Sequence, residues 1–227
     1  MPFPDLADRV AGVRGRIADA VARGGHGQLV TIVAVTKTYG PDAVFAAWEA
    51  GILDVGENKV QEALSKMADV EAPVRWHLIG HLQRNKAKSV DRFAMVQSVD
   101  SGRLADAVAR VGEGRGTPVS VLMQVNVSGE ESKGGLRPEE IAVEGERWRG
   151  LRGLHVSGVM TMAPFDADER TLRQTFAGAR SAREQLLALG HPATELSMGM
   201  SNDYEIAVEE GATMVRLGTI LFGTRSA

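Results

Sequence analysis

Cysteine is absent from the 227-residue chain. Disulfides, thiolate metal sites and cysteine nucleophiles are therefore excluded, and a reducing cytoplasm suits the composition. The 5 histidines are scattered, with no metal-ligand spacing among them. No apolar run approaches the roughly 20 residues that cross a bilayer. The opening stretch, MPFPDLADRV, has neither the basic nor the apolar region of a secretory signal. Without a Pro/Ser-rich linker or a low-complexity segment, residues 1–227 are expected to form a single domain. Excess charge is also missing. The formal net charge of -3 argues against a general binder of nucleic acid or acidic membrane. A strand–GxGxxG–helix phosphate loop occurs nowhere.

The segment Thr31–Tyr39, TIVAVTKTY, organises what is present. β-Branched residues dominate its first part, and no charge interrupts it before Lys37, so it reads as a strand buried on both faces. A partly dehydrated amine at such a strand end is a better nucleophile, suited to a Schiff base with an aldehyde or ketone. The plain alternative is a lysine whose stem packs while its head sits in water. Ahead of this strand, Leu6, Val10, Val13, Ile17 and Val21 form one apolar stripe of a helix ended by Gly24-Gly25. Further strands are expected at Ile52–Val55, Arg75–Ile79, Met95–Val99, Val119–Val127, Leu154–Met162, Glu195–Met198 and Met214–Leu217. Helices are expected at Asp42–Ala50, Val60–Val70, Lys86–Val90, Arg103–Val111, Pro138–Trp148, Glu169–Leu189 and Tyr204–Glu210, the last capped by Ser201 or Asn202. Alternation of this kind implies parallel strands and right-handed crossovers. The expected fold is α/β, a (β/α)8 TIM barrel with an extra N-terminal helix; a doubly wound open sheet is the alternative.

In a barrel, chemistry gathers where strands end. Those ends supply Lys37, Asn58, His81, Asn126, Met162, Ser201, Arg216 and Gly218-Thr219. Phosphate often sits after strands seven and eight, where Ser201 and Gly218-Thr219 fall; taken singly, the serine is a helix cap and the glycine a turn. Arg216 lies inside an apolar strand and must find either a carboxylate or an acceptor on a bound ring. A carbonyl-seeking lysine, a phosphate cradle and a ring-facing arginine together describe a pyridoxal 5'-phosphate (PLP) site.

The motifs VAVTK, DVGENKVQE, WHLIGHLQRNK, SVDS, VNVSGEESKGGL, GVMTMAP, LSMGMSNDYEIAVEEGATMVRLGT and LFG run in order from about Val33 to Gly223. Together they resemble the pyridoxal phosphate homeostasis proteins. The resemblance implies a fold-type III barrel like the N-terminal domain of alanine racemase, with Lys37 carrying PLP as an internal Schiff base. It implies phosphate contacts from Ser201, Gly218 and Thr219, and Arg216 near the pyridine nitrogen. Asn58 and Met162 complete the expected cofactor set. Alanine racemases are similar at several places but use a second β-domain that contributes a catalytic tyrosine. Only Thr224–Ala227 follow Gly223, so that domain is expected to be absent and the protein monomeric. Met162 stands where those racemases resemble the chain but carry a ring-stacking histidine, and Lys133 where they carry a substrate-binding arginine. A cationic Arg216 also discourages protonation of the ring nitrogen, leaving a poorer electron sink. The expectation is a cytoplasmic PLP carrier in vitamin B6 and amino-acid balance, with little or no turnover and PLP-dependent apo-enzymes as recipients. The alternatives are an amino-acid racemase and a phosphosugar-type barrel enzyme whose lysine binds its substrate.

Overall fold

The structure, a computed structural model, describes residues 3–130 and 133–223. Glu131 and Ser132 lie outside the described residues, as do both ends of the expected 1–227 domain. Helix α1 spans Leu6–Gly24 and buries Leu6, Val10, Val13, Ile17 and Ala20. Gly25 ends it in the left-handed region at φ 70, returning its N–H to Val21 O. Eight parallel strands follow: β1 Thr31–Val35, β2 Asp54–Glu57, β3 Arg75–Leu78, β4 Met95–Val99, β5 Val119–Gln124, β6 Leu154–Met160, β7 Glu195–Ser197 and β8 Met214–Leu217. Each pairs with the next, and β8 pairs with β1 to close the barrel. The (β/α)8 expectation holds and the open sheet does not.

The crossovers are α2 Pro41–Glu49, α3 Val60–Asp69, a 3₁₀ segment Arg84–Arg92, α4 Gly102–Arg115, α5 Ile141–Arg149, α6 Glu169–Ala188 and α7 Tyr204–Glu209, with the short α8 Thr219–Phe222 after β8. The third crossover differs from the expected α-helix for a visible reason. Its only buried residues, Ala87 and Val90, are three apart, the 3₁₀ period. β1 stops at Val35, four residues short of the expected strand, and β5 and β6 also end early. Their apolar runs continue because residues beyond the ladder, such as Val125 and Ala163, still pack into the core. β2 begins two residues late, because the Ile52 N–H donates to Ala47 O (2.9 Å) and so belongs to the exit of α2. α4 runs through Gly112 to Arg115, beyond the expected Val111. That glycine serves a close approach: a Cβ there would lie 2.0 Å from Gly153 O.

The main apolar core lies between the barrel and its helices. Inside the barrel a smaller cluster, Met95, Leu122, Met160 and Met214, packs against Met162. Beside it runs a buried polar chain. Arg216 Nη1 donates to Ser197 Oγ (2.7 Å), and Ser197 Oγ donates to Gln97 Oε1 (2.7 Å). Gln97 Nε2 meets His77 Nδ1 (3.0 Å), and His77 Nε2 meets Asp54 Oδ1 (2.8 Å). Arg75 closes the chain with two bonds to Asp54, at 2.8 and 2.5 Å. Burial alone pushes the Asp54 carboxyl up; the His77 and Arg75 donors outweigh it and hold the group at about 2, against an ordinary 3.8. A depressed carboxylate stabilises the fold above its unfolded pKa, and that stability is lost as pH falls toward the folded one. Acid is therefore expected to remove about 2 kcal/mol between about pH 4 and pH 2 at this residue. Chemical denaturation across that range checks it, since Asp54→Asn should flatten that part of the profile.

Candidate cofactor site at the barrel mouth

β1 delivers Lys37 two residues past its last ladder position, in a turn where the side chain is half-buried. Val33, paired with Arg216 in the closed barrel, lies on the lumen side of β1, and the turn that follows Val35 sets Lys37 at the barrel mouth. The turn is fastened on both flanks. Thr36 Oγ1 donates to Glu57 Oε1 (2.6 Å), and the Thr36 carbonyl accepts from Lys66 Nζ (2.7 Å). Lys66 Nζ also reaches Glu57 Oε1 (2.7 Å) and Glu62 Oε1 (3.0 Å). Glu62 in turn accepts the Thr38 N–H. Thr38 sits at φ 65, a left-handed conformation that a β-branched residue keeps only when its surroundings fix it. Glu57 is fully buried; burial raises its carboxyl pKa, against the pull of Lys66 and Thr36. Its Oε2 has no partner among the described residues.

Across β8, Arg216 is 4% exposed. Nη2 donates to Thr161 O (2.9 Å) and Nη1 to Ser197, yet no carboxylate among the described residues forms an ion pair with it. Burial draws its pKa down to about 10, opposed by the charge of Asp203, so the group is cationic at neutral pH. The loops after β7 and β8 meet where Ile220 N–H donates to Ser201 Oγ (3.3 Å). Among the described residues, nothing accepts a hydrogen bond from the backbone N–H of Ser201, Asn202, Gly218 or Thr219. Four such donors on two touching loops are a candidate anion cradle. Gly218 adopts φ -119, which any residue can take, and a Cβ there would sit 3.5 Å from Val35 Cβ, in ordinary contact. The protein's own packing and backbone do not require glycine at that point. The same contact sets the cradle beside the end of β1 and the Lys37 turn. These features fit a phosphate-bearing aldehyde.

Other strand-end residues have different duties. Asn58 is half-buried at the end of β2, and its carbonyl lies against Gly80, where a Cβ would be 2.4 Å away. Asn126 spends its side chain on its own loop, donating to Glu130 O and Lys133 O (both 2.9 Å). Lys133 donates to Ala163 O (2.8 Å) and pairs with Glu130 (3.0 Å), tying the β5 and β6 loops together. His81 Nδ1 meets Asp100 Oδ2 (3.0 Å) on the exposed rim. Neither Ser201 nor Asn202 caps α7. That helix begins after Asp203, whose Oδ1 instead accepts the Met200 N–H (2.5 Å). Sequence reading missed Glu57, Lys66, Asp203 and the Asp54–His77–Gln97–Ser197 chain. Their signal was available: polar residues within otherwise apolar strands, and Lys66 in register with the buried Val60 and Ala63 of α3.

The chain matches the family described as Alanine racemase, N-terminal domain, over residues 17–226. It is 40% identical over 223 residues to the Pyridoxal phosphate homeostasis protein of Pseudomonas aeruginosa, covering 97% of this chain and 96% of that one. A solved structure of PipY from Synechococcus elongatus PCC7942 with PLP bound is similar at TM-score 0.85 and 34% identity, covering 96% of this chain and 100% of that chain. An alanine racemase of Clostridium difficile 630 shares the fold at TM-score 0.76 with 14% identity; this chain spans 58% of its length. The chain belongs to the pyridoxal phosphate homeostasis protein family, built on the alanine racemase N-terminal domain.

Proposed function

We propose that this protein holds PLP on Lys37 as a Schiff base, serves intracellular vitamin B6 balance, and turns over little or no substrate. The observation that carries the reading is the set of four unpaired backbone N–H groups beside the Lys37 turn. Bound PLP supplies an aldehyde for a lysine amine and an electron-withdrawing ring. The chain's own residues supply the rest. Ser201, Gly218 and Thr219 hold the phosphate through backbone N–H groups and two hydroxyls. Arg216 donates toward the ring nitrogen and keeps it unprotonated, while Met162 and Asn58 flank the mouth. Low turnover follows from the company these groups keep. Both tyrosine hydroxyls in the chain are engaged elsewhere, Tyr39 with Gly223 O (3.3 Å) and Tyr204 with Arg16 (2.6 Å). Met162 has no acid–base function. A monomeric, cytoplasmic carrier that hands PLP to apo-enzymes completes the proposal.

Gly218→Ala tests the cradle. The added methyl meets only ordinary contacts in the protein, so apo stability should change by less than about 0.5 kcal/mol. PLP affinity should fall about tenfold or more, because the methyl stands between the phosphate and its N–H donors. Equilibrium dialysis beside apo melting separates the two effects; unchanged affinity would remove Gly218 from the site.

A further inference from the structure

The polar chain through the barrel has a direction. An amide nitrogen can only donate, so Gln97 Nε2 donates to His77 Nδ1 (3.0 Å), and the imidazole proton lies on Nε2, facing Asp54 (2.8 Å). Gln97 Oε1 then accepts from Ser197, which leaves the serine oxygen to accept from Arg216 (both 2.7 Å). Every link points the same way, from a cation at the mouth to a carboxylate at the barrel floor. Ser197, Gln97, His77 and Asp54 are all buried, whereas Arg75, beyond them, has a side chain 60% exposed. The step from Ser197 on β7 to Gln97 on β4 crosses the barrel lumen. Arg216 has no ion-pair partner of its own among the described residues; Asp203 acts on it only at longer range. Aligned bonds of this kind polarise one another, so the charge on Asp54 strengthens each acceptor in turn.

We propose that Ser197, Gln97, His77 and Asp54 are positioning residues for Arg216, passing a distant counter-charge through the barrel and fixing the guanidinium toward the ring nitrogen of bound PLP. The inference rests on the reading of the mouth as a PLP site. It adds that the electronic state of the bound ring is set partly from the far end of the barrel.

The test compares Ser197→Ala, Gln97→Met, Asp54→Asn and Arg216→Met in the full chain, by PLP titration and by the visible spectrum of the loaded protein. Ser197→Ala and Gln97→Met should each weaken PLP binding by about tenfold and move the visible band the way Arg216→Met moves it. The double variant should lose no more than either single one, since both cut the same chain. Ser197→Thr, which restores a hydroxyl, should bind and absorb as wild type. Should Gln97→Met fail to fold, Ser197→Ala and Asp54→Asn carry the test. A wild-type spectrum and affinity in Ser197→Ala and Asp54→Asn, with a shifted band in Arg216→Met, would overturn the inference and leave the PLP site standing. An unshifted band in Arg216→Met, or in Lys37→Ala, would instead overturn the site reading beneath it.

Discussion

Lys66→Met is expected to destabilise the fold by about 3–5 kcal/mol and lower the melting temperature by about 10 °C. The lysine side chain is 7% exposed and its Nζ serves three acceptors: Glu57, Glu62 and the Thr36 carbonyl. Glu57 is fully enclosed. Removing its cation leaves a buried carboxylate with one hydroxyl donor and an oxygen, Oε2, that already lacks a partner. Such a group escapes by taking up a proton. Burial already raises the Glu57 pKa above its ordinary 4.5. For an acid raised on folding, the fold is favoured at low pH and loses stability as pH rises from the unfolded toward the folded pKa. Without Lys66 that gap widens, so the deficit of Lys66→Met should be larger at pH 8 than at pH 5. The double variant Glu57→Gln/Lys66→Met should recover part of the loss, because it removes the uncompensated charge. Thermal melts at both pH values check this; a variant melting within 1 °C of wild type at pH 8 would contradict the role given to Lys66. The same variant frees the Thr36 carbonyl, so weaker PLP retention should accompany the stability loss.

The sequence carries the barrel clearly and its interior poorly, for a physical reason. Alternating strands and helices, set by hydrophobic period, are local, and they located all eight strands to within a few residues. Apolar runs overstate strand length at Thr31–Tyr39 and Val119–Val127, because packing continues past the last ladder bond at the mouth. The strand-end rule picked out Lys37, Ser201, Arg216 and Gly218-Thr219, and the closed barrel brings their backbones to one rim. It also picked Asn126, whose side chain is consumed by its own loop. Partners that fasten the rim are non-local. Glu57 and Lys66 meet across β2 and α3, and Gln97 meets Ser197 one hundred positions away. Nothing in local periodicity announces such pairs, beyond the oddity of a charged or amide side chain at a core position.

Lys37→Ala should abolish covalent retention of PLP altogether, the largest functional effect expected of any single change. Two other lysines near the strand ends have amines already at work among the described residues. Lys66 is committed to Thr36, Glu57 and Glu62, and Lys133 to Ala163 and Glu130. The cradle would remain in that variant, so weak, colourless binding through the phosphate should persist while the visible band disappears. The most direct measurement is borohydride reduction of the PLP-loaded wild-type protein, followed by peptide mass mapping. The account requires one modified lysine, at position 37, and no modification in Lys37→Ala. A pyridoxyl group mapped to another lysine, or a visible band that survives Lys37→Ala, would contradict it.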